Sequence, residues 1–277
     1  MKMNILVTLD AGYLDPLTIM LRSLVDNHRC ELDVYVMNSA LTEEHLNRVP
    51  RGVEAYCEAE ASRRLRLIDV KVDSGMLKDA PITDRYPQEM YYRIFAARFL
   101  PEKLDRVLYL DPDMVIINPL TQLYEMDMGN AWFAAASHVG KILERINGIR
   151  LQAEEPGPYI NSGVMLMNLK ELRLHQNEQQ VFDYIQKNRD VLILPDQDVI
   201  SALYGSRIVE IDHYRYNMTE RVFAAEQLNP VPSAVNEQWV TEHSSVIHYC
   251  GRNKPWKERY IGKLGIFYYW YARIPRT

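Results

Sequence analysis

A single α/β domain, with a mainly parallel central sheet and helices on both of its faces, is the fold this sequence predicts, from three observations. Strand-like apolar runs and helix-like periodic segments alternate from the first residues onward. The first apolar run, Ile5 to Leu9, reads as a buried strand and ends in Asp10-Ala-Gly12. A length of 277 residues, 47% of them hydrophobic and 25% charged, suits one large domain with a real core.

The elements follow in order. Leu14 to Val25 is periodic, with Leu17, Met20, Leu21 and Leu24 on one helical face and Pro16 in the first turn, where a missing N–H costs little. Glu31 to Met37 is a second strand. A helix opens near Thr42-Glu43-Glu44, acidic where the helix dipole favours negative charge. Gln88 to Leu100 reads as a helix, and Arg106 to Asp111 as a strand that ends in an acid. Further strands are expected at Trp132 to Ala136, Gly163 to Asn168 and Val246 to Tyr249, and helices at Glu178 to Asn188 and Asp196 to Tyr204. The irregular stretches Val72 to Pro87 and Gln152 to Pro158 are expected to be loops, candidates for a lid.

Composition narrows the function. Lys plus Arg is 32 and Asp plus Glu is 37, a net charge of −5, which disfavours general nucleic-acid binding. Cys30, Cys57 and Cys250 have no CxxC spacing, so neither a zinc knuckle nor a disulfide framework is expected, and a reducing, cytoplasmic setting is. The N-terminal apolar run is too short for a signal peptide, and no stretch reaches the ~20 apolar residues of a membrane span. Nothing in the sequence sets an oligomeric state. From Lys254 to Thr277 there are six basic residues and one acidic, giving +5 there and −10 for the remainder, with the cluster Phe267-Tyr-Tyr-Trp-Tyr271. This tail either packs on the domain or contacts a membrane surface.

The chemistry concentrates in four blocks. Asp111-Pro-Asp113 stands at the carboxyl end of an apolar strand, the edge where open α/β sheets bind ligands. Two carboxylates so close repel each other unless a cation lies between them, and a hard divalent ion completed by phosphate oxygens would relieve that repulsion. A solvated turn would use the same residues. Asn161-Ser-Gly163 leads into a strand. Asp196-Gln197-Asp198 opens a helix, where Asp196 alone suits an N-cap. His248-Tyr-Cys-Gly251-Arg-Asn-Lys254-Pro-Trp256 puts an imidazole, a glycine and a lysine just past a strand, a combination suited to phosphate. The Asp-x-Asp-x-Val pattern also resembles the nucleophile motif of haloacid-dehalogenase-type phosphatases. That reading loses ground because the motif follows a complete β-α-β-α region and no later Gly-Asp-x-x-x-Asp pattern occurs.

Taken in order, the blocks resemble family 8 glycosyltransferases, a group that includes bacterial lipopolysaccharide glucosyl- and galactosyltransferases and glycogenin. The resemblance runs from Ile5 to Trp256 and rests on Leu9-Asp10…Tyr13, Tyr92-Arg93, Leu110-Asp-Pro-Asp-Met-Val115, Asn161-Ser-Gly163, Asp196-Gln-Asp198 and His248-Tyr-Cys-Gly-x-x-Lys254-Pro-Trp256. It implies a GT-A (Rossmann-like) domain over residues 1–253, with the basic aromatic tail of 254–277 attached. It implies transfer of glucose or galactose from a UDP-sugar to a glycan or lipid-linked saccharide, with retention at the anomeric carbon. Asp111, Asp113 and His248 then correspond to ligands for Mn²⁺, which mixed carboxylate and imidazole donors suit better than Mg²⁺. Gly251 and Lys254 correspond to the diphosphate site. Thr8, Asp10 and Tyr13 correspond to the uridine contacts, and Arg93 and Asn161 to contacts with the donor sugar or its diphosphate. Asp196 corresponds to a carboxylate on sugar hydroxyls, Gln197 to the reacting face, and Asp198 to the carboxylate available for a covalent intermediate. Gly12 stands where the family often has Asn. Ala135-Ala-Ser137-His138 stands where relatives commonly place an acid, which makes His138 a candidate for acceptor contact. A catalytically silent sugar-nucleotide binder is the other reading, and the filled polar positions speak against it.

Overall fold

The computed structural model describes residues 1–77, 80, 88–137, 141–153, 157–228 and 234–273. Among these residues nine strands form in chain order: β1 Lys2–Thr8, β2 Glu31–Asn38, β3 Leu65–Lys71, β4 Arg106–Leu110, β5 Met114–Ile116, β6 Phe133–Ala136, β7 Val164–Asn168, β8 Ile208–Ile211 and β9 Val246–His248. Seven of them make one sheet in the order β3-β2-β1-β4-β7-β6-β8, and β5 pairs with β9 in a separate ribbon. The pairs β1–β2, β1–β4, β2–β3 and β6–β8 are parallel, while β7 runs antiparallel to both β4 and β6. The sheet is therefore mainly parallel, with one reversed strand at its centre.

The sheet is buried on both faces because successive side chains of each strand alternate between two cores. Leu6, Tyr35, Val107, Tyr109 and Met165 enter one core; Ile5, Val34, Leu108, Leu110 and Leu166 enter the other. The helix Leu14–Asp26 covers the second face with Leu14, Leu17, Met20, Leu21 and Leu24, the stripe its periodicity predicts. The helix Glu43–Glu54 starts where expected, capped by Thr42 Oγ1, which accepts from His45 N at 3.2 Å.

Two expectations change in detail. The segment 88–100 is not one helix: Glu89–Tyr92 passes through a 3₁₀ turn at Arg93–Phe95 before Ala96–Phe99. A 3₁₀ turn rotates successive side chains by about 120° rather than 100°, and here Tyr91 through Phe95 are all buried, with Arg93 directed under the carboxyl end of the sheet. Asp196 does not cap its helix: Leu194 is the N-cap and Pro195 the first helical residue. Parts of both irregular stretches, 78–79, 81–87 and 154–156, lie outside the described residues.

The tail packs in part. Leu264, Tyr268 and Tyr271 are buried in a third core with Val115 and Ile247. Arg22 Nη1 donates to the Tyr271 carbonyl at 3.0 Å, and Asn27 Nδ2 donates to its hydroxyl at 3.0 Å, which fastens the helix Gly265–Ala272 to Leu14–Asp26. The other side of that helix leaves Ile266, Tyr269 and Trp270 exposed, with Ile261 close by in sequence. Among the described residues no helix is long and apolar enough to cross a membrane.

Candidate active site

Parallel β1 and β4 and antiparallel β7 bring Thr8, Leu110 and Val164 to one edge of the sheet, and a cleft of about 640 Å³ opens there. At the end of β1, Asp10 accepts from Gly12 N at 2.7 Å and shapes the turn that presents Tyr13. A Cβ on Gly12 would come within 3.0 Å of that carboxylate oxygen, so a larger residue here would push on Asp10. At the end of β4, Asp111 N donates to the Gly163 carbonyl at 2.8 Å, tying the acidic turn to Asn161-Ser-Gly163. The β5–β9 ribbon does the rest. It pairs Met114 with His248, and Tyr249 N donates to the Asp113 carbonyl at 3.0 Å. Residues from the middle and the end of the chain thereby become neighbours.

The ligand-type atoms of Asp111, Asp113 and His248 lie within 4.8 Å of one another. His248 Nε2 is 3.2 Å from Asp113 Oδ1 and 3.7 Å from Asp111 Oδ2. Asp113 Oδ1 is buried and makes no hydrogen bond, a costly state for a carboxylate oxygen with no cation on it. A Cβ on Gly163 would fall 2.4 Å from His248 Cε1 and 2.9 Å from Asp111 Oδ2, so only glycine leaves these donors their common space. The donor set, the orphaned oxygen and the glycine cradle all fit a divalent cation.

Charges around this centre are arranged in pairs. Burial alone would raise the Asp113 carboxyl, but Lys254 and His248 outweigh it and hold it well below the usual carboxylate range. Lys254 Nζ is bonded to Asp113 Oδ2 and donates to the Tyr249 carbonyl at 2.8 Å. Burial would lower this ammonium, yet Asp113 raises it. Arg93, also buried, bridges the two acidic blocks: its Nη1 is 2.9 Å from Asp111 Oδ1 and 3.1 Å from Asp196 Oδ2. Its guanidinium lies 4.2 Å over the Tyr109 ring. Asp196 accepts from Ser162 Oγ at 2.7 Å, and burial raises its carboxyl despite Arg93.

Of the residues expected at the site, Thr8, Asp10, Tyr13 and Arg93 line one side of the cleft, and Asp111, Asp113, His248, Gly251 and Lys254 another. Asn161, Asp196 and Gln197 complete it. Gly251 adopts φ +85°, the left-handed region that glycine allows at least cost. Asp198 is placed differently. It is fully buried behind the cleft and accepts from Arg150 (2.8 and 3.1 Å), Tyr159 Oη (2.6 Å), Ile193 N (2.7 Å) and Leu194 N (3.1 Å). His138 lies outside the described residues.

Sequence reasoning missed several supporting groups. Tyr109 Oη donates to Asp111 Oδ1 at 2.6 Å from within the core, and Asn217 sits against His248 at 2.8 Å. Arg221, Arg252 and Lys257 line the cleft beside Lys254. The signal that could have found Tyr109 is its place on β4 two residues before the acid that follows the strand. Asn217 carries no local signal, because its partner is a strand that arrives later in the chain.

The single α/β domain, with its mainly parallel sheet and an acidic turn at the carboxyl edge, has the fold of the GT-A glycosyltransferases. The chain belongs to glycosyl transferase family 8, which matches residues 4–259. It is 27% identical over 255 residues to a lipopolysaccharide 1,2-glucosyltransferase of Escherichia coli K12, covering 92% of this chain and 72% of that protein. It is 24% identical to general stress protein A of Bacillus subtilis, covering 92% and 87%. Crystal structures of the galactosyltransferase LgtC share the fold: the complex with donor and acceptor sugar analogues superposes with a TM-score of 0.79 at 22% identity, covering 98% of this chain and 95% of that one.

Proposed function

We propose that this enzyme moves glucose or galactose from a UDP-sugar to a glycan or lipid-linked saccharide of the lipopolysaccharide type, with retention and with Mn²⁺ as its metal. The observation that carries the reading is the convergence of Asp111, Asp113 and His248 in a cleft that Arg93, Asp196 and Lys254 also line. Those three ligands would hold the cation, which when bound supplies Lewis-acid stabilisation of the leaving diphosphate. Lys254 adds a positive charge where negative charge develops as the glycosidic C–O bond breaks. Gly251 lets the chain approach the diphosphate closely. Thr8, Asp10 and Tyr13 hold the uridine, and Arg93 and Asn161 contact the sugar or diphosphate.

Asp196, fixed by Ser162 and Arg93, orients sugar hydroxyls. Gln197 faces the reacting carbon. A neutral amide is a poor nucleophile, so its carbonyl dipole steadies positive charge while the acceptor attacks from the front and gives its proton to the departing phosphate. Asp198 acts through Arg150 and the backbone of Ile193 and Leu194, setting the first turn that carries Asp196 and Gln197. In this division of labour residues 1–253 together with Lys254 carry the chemistry, and the rest of the tail of 254–277 brings the enzyme to the cytoplasmic face of a membrane. Exposed Ile261, Ile266, Tyr269 and Trp270 among Lys257, Arg259 and Lys263 support that role.

The test is calorimetric titration of UDP with and without Mn²⁺, on the wild type and on Asp113→Asn. Binding that needs Mn²⁺ and is lost in the variant supports the reading; metal-independent binding in both refutes it. Sedimentation with anionic vesicles, equal for the wild type and Trp270→Ser/Ile266→Ser, would refute the membrane role.

A further inference from the structure

Asn217 is fully buried outside the cleft lining, and the directions of its hydrogen bonds are forced. A backbone N–H has only one polarity. Gly163 N–H can only donate, and it reaches the side chain of Asn161 at 3.1 Å, so the atom it meets is the carbonyl Oδ1. The amide group of Asn217 that lies 2.9 Å from that same oxygen must then be the NH₂. This turns the Asn217 carbonyl toward His248, where it lies 2.8 Å from Nδ1. The imidazole therefore carries a proton on Nδ1, which leaves Nε2, the nitrogen facing Asp113 Oδ1 and Asp111 Oδ2, as the one that can offer its lone pair to a cation.

The backbone holds Asn217 in place for this. Met218 N donates to the Val246 carbonyl at 3.0 Å and His248 N donates to the Met218 carbonyl at 2.8 Å, so residue 218 is clipped to β9 from both sides. Thr219 Oγ1 caps the next helix by accepting from Val222 N at 3.2 Å. The asparagine has little freedom to turn away.

We propose that Asn217 is a positioning residue that locks His248 in the Nδ1–H tautomer, so that Nε2 serves as a cation ligand, and that it couples this ligand to Asn161 on the donor side of the cleft. The proposal rests on the metal-binding reading given above. A ligating histidine held by an outer partner gains both orientation and basicity, and loss of such partners typically costs about 10- to 100-fold in metal affinity.

Two measurements test it. Mn²⁺ binding to nucleotide-free protein, followed by the electron paramagnetic resonance of free Mn²⁺, should weaken by about 10- to 100-fold in Asn217→Leu. Asn217→Asp keeps an acceptor on Nδ1–H and should bind Mn²⁺ at least as well as the wild type. It also sets a carboxylate oxygen against Asn161 Oδ1, so it should lose affinity for the UDP-sugar. Equal Mn²⁺ affinity in wild type and Asn217→Leu overturns the proposal while leaving the metal site standing; a wild type that binds no Mn²⁺ overturns both. Should Asn217→Leu fail to fold, the wild type still decides. With ¹⁵N-labelled histidine at alkaline pH, His248 is expected to show a protonated Nδ1 and a bare Nε2, and the opposite tautomer overturns the assignment.

Discussion

Between Leu110 and Met114 two acids flank a proline in the turn that joins β4 to β5, and between Pro195 and Val199 two acids flank a glutamine in the first turn of a helix. The spelling is the same and the outcome is not. In the turn, both carboxylates face one cleft and meet a histidine. In the helix, residues two apart point roughly 200° away from each other, so Asp196 faces the cleft while Asp198 faces the interior and is saturated by Arg150, Tyr159 and two backbone N–H groups. An acid-x-acid motif therefore says little until the element that carries it is known. The first pair gathers charge for a ligand, and the second divides its labour between ligand and scaffold.

This contrast can be broken by substitution. The largest effect is expected at Asp113→Asn, where Mn²⁺-dependent UDP binding, measured by calorimetry, should fall by at least ~100-fold because a direct ligand costs more than an outer partner. Next comes Asp196→Asn. On the proposed role of this carboxylate toward sugar hydroxyls, it should lower kcat by roughly 100-fold while leaving UDP affinity within a few-fold; an unchanged kcat would remove it from the reacting side. Asp198→Asn should instead lose stability, by roughly 3 kcal/mol, the low end for a broken buried pair because Arg150 retains some water contact. A Tm lowered by about 10 °C with UDP affinity intact is the expected result. A native Tm with lost turnover would make Asp198 chemical after all.

Another acid, remote from the cleft, sharpens the contrast by being structural only. Asp33, buried on β2, pairs with Arg66 at 2.6 Å and Lys2 at 2.6 Å. Burial would raise its carboxyl, but hydrogen bonds from Arg66 and Lys2 outweigh that and hold it below the usual range. A group whose folded pKa is depressed stabilises the fold above its unfolded pKa of about 4 and loses that contribution as pH falls below it. The wild type should thus lose slightly more Tm between neutral pH and about pH 3 than Asp33→Asn does, by a few degrees at most because both basic partners are solvated.

Much of this was readable from the chain. The buried runs of β1, β2 and β4 and the stripe of Leu14–Asp26 are local patterns; β2, β4 and the helix formed within one residue of their expected bounds, while β1 begins three residues before its expected start. The short elements were not. β5, β8 and the exposed edge strand β3 have little periodicity of their own and are defined by what they pair with. The same division holds at the site. Asp111, Asp113 and His248 were legible as residue types placed after strands, whereas the burial of Asp198 was not, because its side-chain partners Arg150 and Tyr159 come from other segments. Asn217 was invisible, since the atoms that give it meaning belong to Asn161 and His248 on other segments.

The ribbon of β5 and β9 has a temporal consequence. Asp113 and Lys254, now bonded, are separated by 141 positions in the chain. Closing so long a loop adds only a modest entropic cost, since that cost grows with the logarithm of length, but such distant contacts are slow to find. During synthesis the first four strands of the sheet can assemble while the site is still missing its imidazole and its ammonium. The Asp111-Asp113-His248 cluster, with Lys254 beside it, is therefore complete only once β9 and Lys254 have been made, and a cation bound there would stabilise the assembled fold over the intermediates that lack them.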